Sequence, residues 1–290
     1  MGESLAALPA PYALADTLLG GQAFRWTRAR RGFEGFIGNA PARLTPAKGG
    51  LLVESAADGD PVAAAEAYLR VSDNLGRIYR SIGKDARIRG AIRSWQGLHL
   101  LSQDPWETLI AFTASSASNV PKISRSLDKI ARAFGEPAAF RGGKWHRFPT
   151  PEALAGADLA GLRRCELGYR ARYIRSTAER VAEGQVDLGA IAKMPTAEAQ
   201  AALVEAFDGT GPKVAACVLL FSMGKDDAFP VDRWVQRSVS EWYFGGEKLT
   251  HRRCEAWGCA YFGRHAGYAQ QYLFHERRSR GRAPPARFRR

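Results

Sequence analysis

A helix, a tight hairpin and a second helix are predicted around Phe207-Asp208-Gly209-Thr210-Gly211-Pro212-Lys213. Residues 201–207 place apolar side chains on one helical face, and a second apolar run continues from Pro212 to about Met223. Gly209 and Gly211 allow a sharp turn in which successive N–H groups point outward near a helix N-terminus. Pro212 suits the first helical position, where an N–H group has no partner. The segment therefore predicts a hairpin that binds a phosphate through its backbone.

Two titratable residues accompany this hairpin. Lys213 falls in the first turn of the second helix, where the positive end of the helix dipole favours a neutral, nucleophilic amine. Asp232 precedes another periodic apolar run, so it is predicted to cap a helix whose backbone N–H groups hold its carboxylate ionised. A nucleophilic amine beside a fixed anion suits an attack on a sugar carbon that develops positive charge.

The charge of the chain favours a polyanionic partner. Its 290 residues include 42 Lys+Arg against 29 Asp+Glu, a net charge of +13 at pH 7, which predicts attraction to nucleic acid. No apolar run is long enough to span a membrane, and residues 1–4 do not begin a secretory leader. We therefore expect an intracellular protein that lies with the DNA, in cytoplasm, nucleoid or nucleus, and has no membrane partner.

The cysteines do not form a recognisable ligand pattern. Cys165, Cys217, Cys254 and Cys259 show neither a CxxC pair nor the spacing of a four-cysteine iron–sulfur cluster. His251 with Cys254 and Cys259 is too loose a group for a zinc site. We therefore expect no metal and no cofactor.

The predicted elements indicate an α+β fold. Short extended segments near the N-terminus, separated by Gly, Pro and Asn, suggest an antiparallel sheet at 24–27, 33–37 and 51–54. From Pro61 onward the pattern becomes helical, at 62–69, 74–82 and 86–95. Asp104-Pro105-Trp106-Glu107 begins a further helix, and nearly everything after 104 is predicted as helix and turn, with a loop over 134–151.

These elements predict three parts of the chain. Residues 1–100 form an N-terminal antiparallel β-sheet domain, and residues 101–276 form a mostly α-helical domain that contains the hairpin. Residues 277–290 are rich in arginine and are expected to form a basic, disordered tail.

Several separated motifs give the chain a specific resemblance. Besides the hairpin, they are Gly20-Gly21-Gln22-Ala23-Phe24-Arg25-Trp26, Gln103-Asp104-Pro105 with Ser115-Ser116, Phe148-Pro149, and the segments 167–173 and 266–270. In this order they resemble the 8-oxoguanine DNA glycosylases, the lyase branch of the helix-hairpin-helix (HhH-GPD) glycosylase superfamily. The resemblance covers most of the chain and implies a partner, double-stranded DNA that contains oxidised guanine. We expect the protein to act as a monomer.

The resemblance implies a pocket for an extruded base. The carbonyl of Gly21 faces N7, where 8-oxoguanine has an N–H donor and guanine an acceptor, and the mispaired carbonyl costs guanine roughly 1–3 kcal/mol. Gln270 reads the Watson–Crick edge of the base, and Phe274 stacks on its face. A dipole of Lys213 ammonium and Cys217 thiolate opposes that of the lesion base. Such a pair conflicts with a neutral lysine, and both resting states stay open at this point.

The resemblance also implies contacts with the duplex. Tyr169 matches a wedge that fills the vacated space, and Arg170 matches an arginine that holds the orphaned cytosine. Gly209 and Gly211 match the phosphate grip of the hairpin. Trp234 stands where the family usually has a histidine that touches the DNA.

The chain departs from the family at the contacts with the opposite base. Ala117 and Ser118 precede Asn119 where consecutive asparagines are usual, and Lys122 replaces a cytosine-reading arginine. Arg170 then remains the main reader, and each good bidentate base contact contributes about 1–3 kcal/mol of discrimination. We therefore hypothesise weaker discrimination of the base opposite the lesion, with Asn119 and Lys122 still at the DNA.

The resemblance implies a lyase mechanism, and two other functions stay open. In that mechanism Lys213 attacks C1′, Asp232 stabilises the oxocarbenium-like sugar, and the resulting imine permits β-elimination. One alternative is a monofunctional glycosylase for alkylated or other damaged bases, in which Asp232 positions water. The other is a noncatalytic helix-hairpin-helix protein that only binds DNA.

Overall fold

The structure is a computed structural model that describes residues 4–116 and 118–279. A five-stranded antiparallel sheet forms its N-terminal part, in the order β1-β5-β4-β3-β2. The strands are β1 (Ser4–Ala6), β2 (Thr27–Arg28), β3 (Phe33–Ile37), β4 (Ala40–Ala47) and β5 (Gly50–Ser55). Gly38 and Gly49 have φ values of +55° and +88° in the two-residue turns that flank β4, as tight hairpins require. The predicted antiparallel sheet is confirmed.

The strand β4 was not predicted because Pro41 and Pro46 interrupt its apolar pattern. Both prolines lie next to the ends of the strand, where a missing N–H group is tolerated. The strand predicted at 24–27 overlaps the observed strand β2, Thr27–Arg28, only at Thr27.

Fifteen α-helices are assigned within the described residues. They are α1 (Leu14–Leu19), α2 (Pro61–Leu69), α3 (Leu75–Ile82), α4 (Ala86–Ser94), α5 (Pro105–Ala114), α6 (Val120–Phe134), α7 (Pro151–Ala155), α8 (Leu159–Leu162), α9 (Arg170–Ala182), α10 (Leu188–Lys193), α11 (Thr196–Ala206), α12 (Pro212–Ser222), α13 (Arg233–Tyr243), α14 (His251–Phe262) and α15 (Ala266–Ser279). Most begin at a polar cap, and Asp104 accepts a hydrogen bond from the N–H group of Glu107, as the capping sequence predicted. The mostly helical second part is therefore confirmed.

Two hydrophobic cores hold the fold together. The smaller core joins the sheet to α1 and α2 and includes Leu44, Val53 and Leu101. The larger core takes in helices from α3 to α15, so α3 and α4 pack with the C-terminal helices although they precede residue 100. The larger core therefore extends across residue 100, and the division into 1–100 and 101–276 stays a prediction.

The predicted loop over 134–151 contains a small hairpin, β6 (Pro137–Phe140) paired with β7 (Gly143–His146). Its Trp145 packs edge-on against Phe36 of the sheet, with ring centroids 5.6 Å apart. The Arg25 guanidinium donates to the His146 carbonyl at 2.5 Å. This hairpin therefore connects the sheet to the helical part.

The C-terminal end of α15 differs from the prediction. The tail was expected from residue 277, but Arg277 and Arg278 belong to α15, and the Arg277 guanidinium donates to Glu241 at 2.6 Å. The rest of the predicted tail, residues 280–290, lies outside the described residues. No described helix is long and apolar enough to cross a membrane.

The segment 20–26 is held between the two parts of the fold. The Gln22 side chain is buried and donates to the carbonyls of Thr17 and His99, while its Oε1 accepts from the N–H group of Leu101. The Gln103 amide donates to the Gln22 carbonyl at 2.7 Å. Two of the sequence motifs therefore contact each other, and their hydrogen bonds fix the position of Gly21.

Candidate active site

The hairpin between α11 and α12 has the predicted geometry. Gly209 has a φ of +80°, and a Cβ atom there would lie 2.6 Å from Cδ2 of Tyr173. Gly211 caps α12 with an ordinary φ of −82°, no side chain caps this N-terminus, and nothing lies within 4 Å of its Cβ position. The first-turn N–H groups of α12 are therefore open in the way that a phosphate grip requires.

Lys213 lies in the first turn of α12 and reaches the end of α5. Its Nζ donates to Oγ of Ser115 at 3.2 Å and lies 5.0 Å from the centroid of the Phe112 ring. The side chain is half-buried. This places the amine at a junction of helices instead of in open solvent, and the Ser115-Ser116 motif beside it.

Asp232 caps α13 as predicted. Its Oδ1 accepts from the N–H groups of Trp234 at 2.9 Å and Val235 at 2.8 Å. Burial nevertheless raises the pKa of Asp232 above its ordinary value, and the two backbone hydrogen bonds and the charge of Lys213 lower it by less. The predicted backbone hydrogen bonds are present and favour the ionised form, whereas burial, which the sequence did not indicate, acts against it. Trp234 is 41% exposed beside it.

Cys217 lies one turn after Lys213 and is buried. Burial raises the pKa of the Cys217 thiol to about 11, although the Lys213 charge acts in the opposite direction. Burial therefore favours the neutral thiol of Cys217 over a thiolate.

Gly21 and Phe274 come together at a second part of the site. Gly21 has a φ of +104°, and its Cβ position lies 3.4 Å from Cγ2 of Val120 and 3.9 Å from Cε1 of Phe274. Gln270, one turn before Phe274 on α15, is buried, and its Oε1 accepts from the Gln271 amide at 2.8 Å. The predicted base-binding residues Gly21, Gln270 and Phe274 thus share one region.

The segment 20–26 links this region to Lys213. Phe24 packs edge-on against Phe112 with ring centroids 5.3 Å apart, and Phe112 is the ring beneath the Lys213 amine. The segment therefore lies next to Phe274 at Gly21 and contacts Phe112, the ring next to the Lys213 amine, through Phe24.

Tyr169 and Arg170 follow a distorted turn. Residues 163–167 form a π-type turn that contains Glu166 at a φ of 62°, and the next residue, Gly168, has a φ of 59°. The Tyr169 ring is 54% exposed, as a wedge requires. Arg170 is buried and donates to the carbonyls of Leu167 and Ser116, so it must exchange these bonds to reach a cytosine.

Asn119 and Lys122 lie at the start of α6. The exposed Asn119 caps this helix, and its Oδ1 accepts from the N–H group of Lys122 at 3.1 Å. The hydrogen bond from Lys129 lowers the pKa of Glu166, in the turn that precedes Tyr169, and the charge of Lys122 acts in the same direction. Ala117 lies outside the described residues. The Asn119 oxygen is therefore engaged in one capping hydrogen bond, which fixes the direction of the exposed side chain.

Two residues near the site were not indicated by the sequence. Burial raises the pKa of both Asp232 and Glu255, and the charge of His251, the first residue of α14, acts against that rise. Arg278 donates to the Gly20 carbonyl at 2.9 Å, and its Nη1 lies 3.5 Å from the Cβ position of Gly21. The helical spacing 270, 274, 278 could have indicated the arginine, but the composition of residues 277–290 assigned it to a tail.

Gln200 connects helix α12, which carries Lys213, to its neighbours through hydrogen bonds. Its amide donates to the Pro212 carbonyl at 3.1 Å and to Glu255 at 2.5 Å, which joins α11, α12 and α14 at the hairpin. Within residues 4–116 and 118–279, no three His, Cys, Asp or Glu side chains are placed to hold a metal ion.

Comparison with known families gives matches over both parts of the chain. Residues 110–258 match the family described as HhH-GPD superfamily base excision DNA repair protein. Residues 5–109 match the family described as 8-oxoguanine DNA glycosylase, N-terminal domain.

Individual proteins are similar over most of their length. A probable N-glycosylase/DNA lyase of Methanothermobacter thermautotrophicus is 36% identical over 217 residues, which cover 68% of this chain and 69% of that protein. The N-glycosylase/DNA lyase OGG1 of Arabidopsis thaliana is 31% identical, over 88% of this chain and 74% of that protein. A crystal structure of Clostridium acetobutylicum 8-oxoguanine glycosylase/lyase, with double-stranded DNA containing cytosine opposite 8-oxoG, is 27% identical. It superimposes with a TM-score of 0.88 over 93% of each chain.

Proposed function

The chain belongs to the HhH-GPD superfamily of base excision DNA repair proteins, and we propose that it excises 8-oxoguanine from duplex DNA and then cleaves the strand, with Lys213 as the nucleophile. Relatives that are named N-glycosylase/DNA lyase support the two activities, and the Clostridium acetobutylicum enzyme supports the substrate. The observation that carries the proposal is the position of Lys213. It follows the open hairpin, its charge acts on Asp232, and its Nζ lies over Phe112, the ring against which Phe24 of the segment 20–26 packs.

Binding of the duplex begins at the hairpin. The open N–H groups behind Gly211 grip a phosphate, and the basic surface adds affinity that does not depend on sequence. Tyr169 enters the space that the extruded nucleotide leaves, because it is the exposed aromatic ring that follows the distorted turn. The extruded base then stacks on Phe274 and meets the carbonyl of Gly21.

The chemistry is the displacement of the base by Lys213. The neutral amine attacks C1′, and the buried Asp232 carboxylate stabilises the positive charge on the sugar. The adduct nitrogen loses its protons, one of which passes to O4′ as the C1′–O4′ bond breaks and the sugar ring opens. The imine that forms acidifies the proton at C2′ and permits β-elimination on the 3′ side. No step needs a metal or a cofactor.

The opposite base is read chiefly by Arg170. Asn119 uses its oxygen as a helix cap, and Lys122 presents a single ammonium where a planar guanidinium makes bidentate contacts. Arg170 must first leave the carbonyls of Leu167 and Ser116. We therefore propose a shallow preference for cytosine. Excision opposite C, A, G and T tests this point, and a steep preference for C would refute it.

We further propose that the protein acts as a monomer on chromosomal DNA. Every residue assigned a role lies on this one chain, so a second copy is not needed to complete the site. Sedimentation of the protein with and without a short duplex tests this, and a stable dimer on one lesion would contradict it.

The function is tested by following base release and strand cleavage on a duplex with 8-oxoguanine opposite cytosine. Wild type is compared with Lys213→Gln and with Lys193→Gln, which makes the same change at an exposed lysine of α10. We expect both reactions in wild type and Lys193→Gln and neither in Lys213→Gln.

Other outcomes identify other functions. Release of free base with an intact strand, also in Lys213→Gln, would favour a glycosylase in which Asp232 positions water. Binding without either reaction on this or an alkylated duplex would leave a noncatalytic DNA-binding protein.

A further inference from the structure

We propose that Arg278 is a further residue of the base pocket and that its guanidinium stabilises the negative charge on the departing base. This inference rests on the proposed glycosylase function, since it concerns one step of that reaction. Arg278 lies on α15 one turn beyond Phe274 and two turns beyond Gln270, on the same side of the helix. The residue that stacks on the base and the arginine therefore share one face.

Three measurements place the guanidinium beside the pocket. Its Nη1 donates to the Gly20 carbonyl at 2.9 Å. Its Cζ lies 5.6 Å from the centroid of the Phe274 ring. The same Nη1 is 3.5 Å from the position that a Cβ of Gly21 would occupy. A base that stacks on Phe274 and bonds to Gly21 therefore lies within short range of this cation.

Arg278 supplies the positive charge at this point. Its neighbour His275 is buried against Gly20, and burial followed by the charge of Arg278 lowers the pKa of His275 to about 3. The imidazole is therefore neutral at neutral pH, whereas a guanidinium stays charged. Arg277, the next residue along the helix, instead donates to Glu241.

The displacement of the base creates the charge that this arginine stabilises. As the Lys213 nitrogen forms its bond to C1′, the bond from C1′ to N9 breaks, and its electron pair leaves with the base. The base departs as an anion and takes one proton from the adduct nitrogen. The second N–H proton passes to O4′ when the C1′–O4′ bond breaks and the imine forms. A fixed guanidinium, partly sheltered from water, stabilises such developing charge better than mobile solvent does. Because the Gly20 carbonyl already holds the guanidinium, the group needs little reorganisation when the base departs.

Strand cleavage at an abasic site provides the matched reaction, because it uses Lys213 but has no departing base. The variants are Arg278→Met, which removes the charge but keeps an unbranched side chain, and Arg278→Lys, which keeps the charge. Arg277→Met removes the same charge one residue away and serves as the control for DNA affinity. Each protein is measured in single-turnover excision of 8-oxoguanine and in cleavage of a duplex with a preformed abasic site.

We expect Arg278→Met to slow base excision about ten- to a hundredfold, while abasic-site cleavage stays within about twofold of wild type. Arg278→Lys is expected to keep much of the excision rate, and Arg277→Met to match wild type in both reactions. Equal excision rates in Arg278→Met and wild type would overturn the proposal, as would an equal loss in both reactions. If wild type releases no base, the proposed glycosylase function itself is wrong. If wild type releases the base and Arg278→Met does not, the function holds and the role of Arg278 in excision is supported.

Discussion

Replacing each hairpin glycine by alanine separates the stability of the hairpin from its contact with DNA. Gly209 is left-handed, with a φ of +80°, and its Cβ position lies 2.6 Å from Cδ2 and 2.7 Å from Cγ of Tyr173. Gly211 has an ordinary φ of −82° and nothing within 4 Å of its Cβ position. The same substitution therefore meets a ring at one position and open space at the other.

The structure gives the magnitude of each effect on stability. Gly209→Ala costs about 1–2 kcal/mol for the left-handed backbone and about 1–3 kcal/mol for overpacking against Tyr173. Each kcal/mol lowers the Tm of a domain of this size by about 2–4 °C. Gly211→Ala is expected to cost about 1 kcal/mol, because alanine is a weaker helix cap than glycine but its methyl group meets open space.

For DNA binding, the larger effect is expected from Gly211→Ala. A methyl group on Gly211 occupies the open space in front of the first-turn N–H groups, where the phosphate is expected. Loss of one charge-assisted hydrogen bond costs about 1.5–3 kcal/mol, so the affinity for duplex DNA is expected to fall about ten- to a hundredfold.

Thermal unfolding gives the stability of each variant, and fluorescence anisotropy with a labelled duplex at one fixed salt concentration gives the Kd. Tight DNA binding by Gly211→Ala, equal to that of wild type, would refute the assignment of this helix end as the phosphate grip. Equal losses of Tm in the two variants would refute the steric argument.

Three further predictions follow from the charges at the site. Asp232→Asn is expected to lower the excision rate about a hundred- to a thousandfold, because the fixed anion is lost while the helix cap remains. Burial raises the pKa of Asp232 in the folded protein above its value in the unfolded chain. The protonated carboxyl therefore contributes fully to folding stability below the unfolded-state pKa, and this contribution is lost as pH rises through the folded-state pKa. Asp232→Asn should therefore unfold at a higher temperature than wild type at neutral pH, with the difference vanishing in acid, and a lower Tm would contradict this. The ultraviolet absorbance of the Cys217 thiolate is obtained by subtracting the absorbance of Cys217→Ser from that of wild type. This difference should stay flat through neutral pH and rise only towards about pH 11, and a rise near pH 7 would contradict a neutral thiol. Arg170→Leu should abolish most of the remaining preference for excision opposite cytosine, measured against all four opposite bases. An unchanged preference would show that another residue reads the base.

Local signals in the sequence predicted the hairpin and its two titratable residues. Gly209, Pro212 and the apolar run that follows determine the turn and the helix start through backbone geometry alone, and the structure has them at the predicted positions. The cap at Asp232 was equally local, since a short acidic side chain before an apolar run has few other uses. Its raised pKa was not predictable, because the burial that causes it comes from elements distant in the sequence.

The position of the arginines depended on tertiary contacts. Arg278 was assigned to a tail from the composition of the C-terminus, but its bond to the Gly20 carbonyl holds it on α15 against a segment near the N-terminus. Arg170 was expected to face DNA, yet it is buried on the carbonyls of Leu167 and Ser116. No local pattern encodes such partners, because they become neighbours only when the helices pack.

The most direct test of the central claim is to identify the residue that becomes bonded to the sugar. The protein is incubated with an 8-oxoguanine duplex and borohydride, which reduces an imine to a stable amine, and the adduct is digested and mapped by mass spectrometry. We expect one modified peptide, with the deoxyribose remnant on Lys213. Attachment at another amine, or release of 8-oxoguanine without any adduct, would contradict it.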